Sequence, residues 1–186
     1  MIVIGITGSI ASGKSTVAQL MAKKKYPLFS ADKIVVDLYK NSKFVELIIK
    51  KFKLGTKKKI KNQIKLLVKK DKKKLKTLES IVHPLVRKEM NNFLKKKNEI
   101  LILEVPLLIE SKLNKNFDKI IFVDAKKKIR LKRYLKTTND NKTFEILNQR
   151  QLSSAVKRKV CDLVINNNYS LATLKNNVKK FIKNYE

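Results

Sequence analysis

MIVIGITGSIASGKST, residues 1–16, decides the fold. Ile2 to Ile6 is an apolar run fit for a buried strand, and Val17-Ala-Gln-Leu-Met-Ala22 can open a helix. Between them Gly8, Gly13, Lys14 and Ser15 complete the pattern GxxxxGK[ST], a phosphate-binding P-loop in the strand-to-helix context that such a loop requires. The chain has 4 glycines, and Gly5, Gly8 and Gly13 all fall in this stretch, so backbone is expected to approach a ligand closely here.

Each residue type in the loop has a physical reason. Glycines let successive N–H groups turn inward around an anion. A helix starting near Lys14 adds its positive N-terminal end, the Lys14 ammonium reaches the β- and γ-phosphates of a nucleotide, and the Ser15 hydroxyl is a magnesium ligand.

Composition narrows the remaining choices. The length of 186 residues suits one α/β domain with insertions, and the lone Cys161 excludes an internal disulfide and a thiolate metal cage; a buried structural thiol is expected. The first residues lack a charged leader, and their apolar run ends at Thr7, so a cytoplasmic protein without a membrane span is expected. A formal net charge of +30 would ordinarily suggest nucleic acid. Of the 45 basic residues, however, only Arg87, Arg130, Arg133, Arg150 and Arg158 are arginine, the type suited to bidentate phosphate and base contacts. The lysines read instead as a solvated surface that steers anionic substrates, with no stable nucleic-acid partner.

Short β-rich runs alternate with helical patterns. Ile2 to Ile6, Leu28 to Ser30, Ile100 to Val105, Lys119 to Val123 and Asp162 to Ile165 read as the strands of a parallel sheet flanked by helices. The expectation is an α/β P-loop NTPase fold in three layers: a five-stranded parallel sheet with helices on both faces, a helical substrate cap and a small lid. The core spans about 1–32, 98–136 and 146–186, a helical acceptor-binding insertion about 33–97, and the lid about 137–145. In the insertion the lysine runs 57–59 and 72–74 are interleaved with Ile60, Ile64, Leu67, Leu75, Leu78, Ile81 and Val82, the pattern of amphipathic helices. Four arginines, from Arg130 to Arg158, flank the polar stretch 137–142; this suits a lid closing over phosphates, or an ordinary exposed helical hairpin.

Three of the 15 acids stand where strands are expected to end, the position at which open parallel sheets bind ligands. Asp124 is expected to cap the helix that follows it. Asp32 reads equally as a loop or capping acid and as a partner of magnesium or of an attacking hydroxyl. Glu104 closes the apolar run 100–103, where a buried acid needs a reason, and is a candidate for the metal.

Together these stretches resemble dephospho-coenzyme A kinase over nearly the whole chain. The resemblance rests on residues 5–16, Ser30-Ala-Asp-Lys-Ile34, His83-Pro-Leu85, Glu104-Val-Pro-Leu-Leu-Ile-Glu110 and Asp162-Leu-Val-Ile-Asn-Asn167, in matching order and spacing. It implies transfer of the ATP γ-phosphoryl to the ribose 3′-hydroxyl of dephospho-coenzyme A, the last step of coenzyme A synthesis, by a protein expected to be a monomer. It also implies roles. Gly8, Ala11, Ser12, Gly13, Lys14, Ser15 and Thr16 hold ATP; Lys14, Asp32, Arg133 and Arg150 act in catalysis; Asp32, His83, Pro106 and Leu107 meet the acceptor; Ser15 and Glu104 hold Mg2+. For His83 a plain helix-capping role beside Pro84 is the alternative.

Departures from the family pattern fall on substrate contacts. Ser30 replaces the first acid of Asp-Ala-Asp, Val36 a basic residue, and Asn62, Thr137 and Leu147 arginines. The alternatives are another small-metabolite or nucleoside monophosphate P-loop kinase, and a nucleic-acid-binding ATPase. The first does not predict the His83-Pro84 and Val105-Pro-Leu-Leu108 elements.

Overall fold

The alternation of runs builds five strands and nine α-helices among residues 1–23, 25–55 and 59–183, which this computed structural model describes. The strands β1 (Ile2–Gly8), β2 (Leu28–Ser30), β3 (Ile100–Glu104), β4 (Lys119–Asp124) and β5 (Leu163–Asn166) match the expected runs to within two residues. They form one parallel sheet in the order β2-β3-β1-β4-β5. The helices are α1 (Lys14–Ala22), α2 (Ala31–Leu38), α3 (Ser42–Phe52), α4 (Ile60–Lys70), α5 (Lys72–Leu94), α6 (Lys127–Thr138), α7 (Asn141–Gln149), α8 (Ser154–Val160) and α9 (Leu171–Ile182).

Strand alternation sorts the side chains between two faces. Ile4, Ile6, Ile100, Ile102, Ile121, Val123 and Ile165 point to one face, where Val17, Ala18 and Met21 of α1 and Leu174, Val178 and Ile182 of α9 cover them. On the other face Gly5 lies so close to Leu108 and Phe117 that a Cβ would stand 2.7 and 2.8 Å from their side chains. Asp124, one residue out of phase with Val123, reaches α8 on that face. Two acids placed just before strands lock the register: Asp118 accepts from the Val3 N–H and Asp162 from the Ile120 N–H, both at 2.7 Å.

The contacts divide the chain into two compact units, Met1–Ser30 with Lys96–Glu186, and Ala31–Lys95. Among the described residues the second unit holds the helices α2 to α5 and no strand, in keeping with its interleaved pattern. Phe44, Ile48, Phe52, Ile60, Ile64 and Val82 form its core, with Leu67, Leu78 and Ile81 packed against them, while lysines take the outer faces. Lys57 and Lys58 of the first lysine run lie outside the described residues. Asn41 and Asp71 cap α3 and α5 by accepting from the Phe44 and the Lys73 and Lys74 amides. Pro84 stands inside α5, so His83 is an interior helical residue and its helix-capping alternative falls.

Two more expectations, for Asp124 and Cys161, are corrected. Asp124 does not cap α6, whose N-cap is Lys126; its carboxylate instead accepts from Ser154 Oγ at 3.2 Å and from the Arg158 guanidinium. The polar stretch 137–142 takes in the end of α6, with Thr137 and Thr138, and the start of α7, which Asp140 caps through the Thr143 N–H. Cys161 is half-buried rather than buried, and desolvation pushes its thiol up to about 11, so it stays protonated near neutral pH. Among the described residues no helix is long and apolar enough to cross a membrane.

Candidate active site

The loop between β1 and α1 takes its shape from left-handed backbone at two positions. Gly13, the N-cap of α1, has φ 95°, and Ala11 has φ 56°. Gly13 offers no side-chain cap and the first turn of α1 carries no acid, so the helix itself supplies no anion to its positive end. Gly8 must lack a side chain, since a Cβ there would stand 2.6 Å from the Val123 carbonyl and from Ser12 Oγ. Ala11 pays for its left-handed backbone with a strain of about 1 kcal/mol that glycine avoids. Ala11→Gly is therefore expected to raise stability by about 1 kcal/mol, read as a higher urea midpoint with an unchanged slope.

The Lys14 side chain lies back along the loop, its ammonium donating to the Ser9 carbonyl at 3.1 Å. Ser12 Oγ is buried without a hydrogen-bond partner, a polar group suited to a ligand. Beside it, the buried carboxylate of Glu104 accepts from Ser15 Oγ at 2.6 Å on one oxygen and from Ser30 Oγ at 3.0 Å on the other. Strand phase explains the meeting. Glu104 continues the row Ile100–Ile102 toward the face that carries α1, and Ser30 is its register partner on β2.

Asn167, Gln151 and Arg130 hold the loop without a role assigned from sequence, and Arg133 joins them. Asn167 Nδ2 donates to the Ser12 carbonyl at 2.8 Å, and Arg133 donates to the Asn167 carbonyl at 3.0 Å and to the Ser12 carbonyl at 3.5 Å. Arg133 thus sits against the loop. Gln151 Oε1 accepts from the Ile10 N–H at 2.8 Å. Arg130, buried, donates to the Ala125 carbonyl, the Ile10 carbonyl and Asn148 Oδ1; that burial lowers its pKa, opposed by Asp124 and Glu145. Asn167 stands within a stretch that carries the family resemblance, but only the folded chain shows what it grips.

Residues 105–110 leave β3 as successive turns. Thr7 Oγ1 donates to the Pro106 carbonyl at 3.0 Å, Leu108 is fully buried, and Leu107 accepts from the Ser111 N–H. Glu110 ends the stretch against the fully buried Lys157, 2.8 Å from its Oε1, which also accepts from the Leu152 N–H. Oε2 has no hydrogen-bond partner, so the contact is an ion pair with little directional support. Removing one member leaves a buried charge, and Lys157→Ala is expected to cost about 3 kcal/mol in chemical denaturation. Arg150 closes the C-terminal end of α7. Asp32, exposed in the first turn of α2, and His83, in α5, belong to the Ala31–Lys95 unit.

The site thus joins a glycine loop, a lysine and a helix start to a buried acid that grips the Ser15 hydroxyl, a unit for binding polyphosphate. Comparison with known proteins narrows it. The family model for dephospho-CoA kinase matches residues 2–173. The dephospho-CoA kinase of Bartonella quintana is 36% identical over 191 residues, covering 99% of this chain and 98% of the relative, and that of Fusobacterium nucleatum is 37% identical, covering 97% of each. The solved structure of dephospho-CoA kinase from Campylobacter jejuni superposes with a TM-score of 0.68 at 29% identity, covering 97% of this chain and 95% of that one. Matched by the family model over residues 2–173 and by these relatives nearly from end to end, this chain belongs to the dephospho-CoA kinase family.

Proposed function

We propose that the protein transfers the γ-phosphoryl group of ATP to the ribose 3′-hydroxyl of dephospho-coenzyme A, forming coenzyme A and ADP. The observation that carries this reading is the Ser15–Glu104 hydrogen bond at the head of α1, on a chain that matches its family nearly from end to end. Gly8, Ala11, Ser12, Gly13, Lys14, Ser15 and Thr16 wrap the phosphates with N–H groups and the Lys14 ammonium.

Magnesium fits the donors present. Ser15 and Glu104 supply hard oxygens, and among the described residues no group of three or more His, Cys, Asp or Glu side chains forms a complete cage of its own. That suits an ion that takes few protein ligands and keeps water and phosphate oxygens. Ser15 and Glu104 are the residues that would hold it, and the bound ion would neutralise phosphate charge.

Asp32 receives the proton of the 3′-hydroxyl as that oxygen attacks the γ-phosphorus and the bond to the ADP oxygen breaks. Arg133 places positive charge against the loop, and Arg150 contributes from the end of α7. His83, Pro106 and Leu107 shape the acceptor's surroundings. In this reading residues 33–97 form the acceptor-binding insertion and 137–145 the lid, and the protein acts as a cytoplasmic monomer.

The test offers the purified protein Mg-ATP with dephospho-coenzyme A, adenosine monophosphate or shikimate separately and identifies products by mass. Coenzyme A formation is the expected result. Phosphorylation of another acceptor without coenzyme A would overturn the reading.

A further inference from the structure

Ser30 belongs to no motif of the phosphate loop, yet its hydroxyl occupies one oxygen of the acid that grips Ser15. Glu104 lies buried between two strands, with Ser15 Oγ on Oε1 at 2.6 Å and Ser30 Oγ on Oε2 at 3.0 Å. Both donors are neutral, so the cluster carries one negative charge. Each carboxylate oxygen is satisfied before any cation arrives.

We propose that Ser30 is a positioning residue that holds the Glu104 carboxylate on Ser15 in the metal-free protein, and that it keeps the cluster too weakly charged to retain a divalent cation without a nucleotide. The inference rests on the reading of this loop as the site of nucleotide and magnesium. Two hydroxyl donors fix the carboxylate's rotation, so the Ser15 oxygen is aimed before the phosphates bind. With one carboxylate in place, the remaining ligands must come with the phosphates and water. The divalent ion therefore enters with the nucleotide rather than before it. An aspartate at position 30 would add a second carboxylate beside Glu104, at the strand spacing of about 4.8 Å, and a divalent cation would relieve the repulsion more fully than a shared proton.

Mn2+ is the probe, titrated into the full-length protein and followed by the electron paramagnetic resonance signal of the free ion. Without nucleotide, the wild-type protein is expected to leave Mn2+ free, and Ser30→Asp to bind it at least about tenfold more tightly than wild type. With a non-hydrolysable ATP analogue present, wild type should take up Mn2+; Ser30→Ala should need about tenfold more of it, and Ser30→Thr, which keeps the hydroxyl, should restore the wild-type requirement. Tight nucleotide-independent binding by wild type, no gain in Ser30→Asp, or an unchanged requirement in a folded Ser30→Ala would each overturn the proposal. Failure of wild type to take up Mn2+ even with nucleotide would overturn it together with the nucleotide–metal reading of the loop. No acceptor is present in these titrations, so a wrong assignment of dephospho-coenzyme A would show in the product assay alone.

Discussion

Lys14→Ala is expected to abolish phosphoryl transfer, lowering the single-turnover rate by about 10³-fold or more, which corresponds to about 4 kcal/mol of transition-state stabilisation. The size of the effect follows from where the ammonium is kept. Lys14 is buried, and its Nζ is held 3.1 Å from the Ser9 carbonyl, over the loop proposed to bind the phosphates. The charge is in place before the nucleotide arrives, in surroundings drier than water, where an electrostatic contact counts for more. Phosphoryl transfer asks little covalent chemistry of the protein, so positioned charge supplies much of the catalysis. The measurement is rapid mixing of saturating Mg-ATP and dephospho-coenzyme A, with circular dichroism to check the fold. A rate within tenfold of wild type would remove Lys14 from the proposed mechanism. Arginine at this position should not restore the rate, because its planar fork cannot stand in for a compact ammonium.

Asp32→Asn is expected to reduce kcat by about 10³-fold while leaving the affinity for ATP nearly unchanged. Asp32 stands in the first turn of α2, which follows the last residue of β2 directly, so it occupies the carboxyl end of a strand without belonging to the phosphate loop. An amide keeps the shape and some hydrogen bonding but cannot accept the hydroxyl proton. The split between kcat and nucleotide affinity is therefore the diagnostic. Calorimetry of ATP binding and steady-state kinetics on the same preparation measure both sides of it. Near-normal turnover would reject Asp32 as the acceptor's partner, and a matching loss of ATP affinity would assign it to the donor side.

The elements set by local pattern were legible from the chain. Residues 2–6 alternate no polar groups and become the buried β1; glycine and lysine spacing locate the loop; and the Ile60–Val82 pattern yields helices whose apolar stripe forms the core of its unit. Glu104 was recognisable as unusual because an acid at the end of a fully apolar run must find partners. Asp124 misled for the opposite reason. An acid just before a helix has the sequence signature of a cap, but strand phase turned its side chain toward α8, where Ser154 and Arg158 had stronger claims on it.

The sequence by itself determined the sheet, the phosphate loop and the family, because strand, turn and helix signals are local and their order along the chain survives without coordinates. Only the tertiary structure decided which groups hold that loop. Asn167 and Ser12 are 155 positions apart, as are Ile10 and Gln151 by 141, and Ser30 and Glu104 by 74. No local signal marks such pairs. They meet because parallel strands in the order β2-β3-β1-β4-β5 bring their carboxyl ends to one edge, and strand phase then selects which side chain faces which.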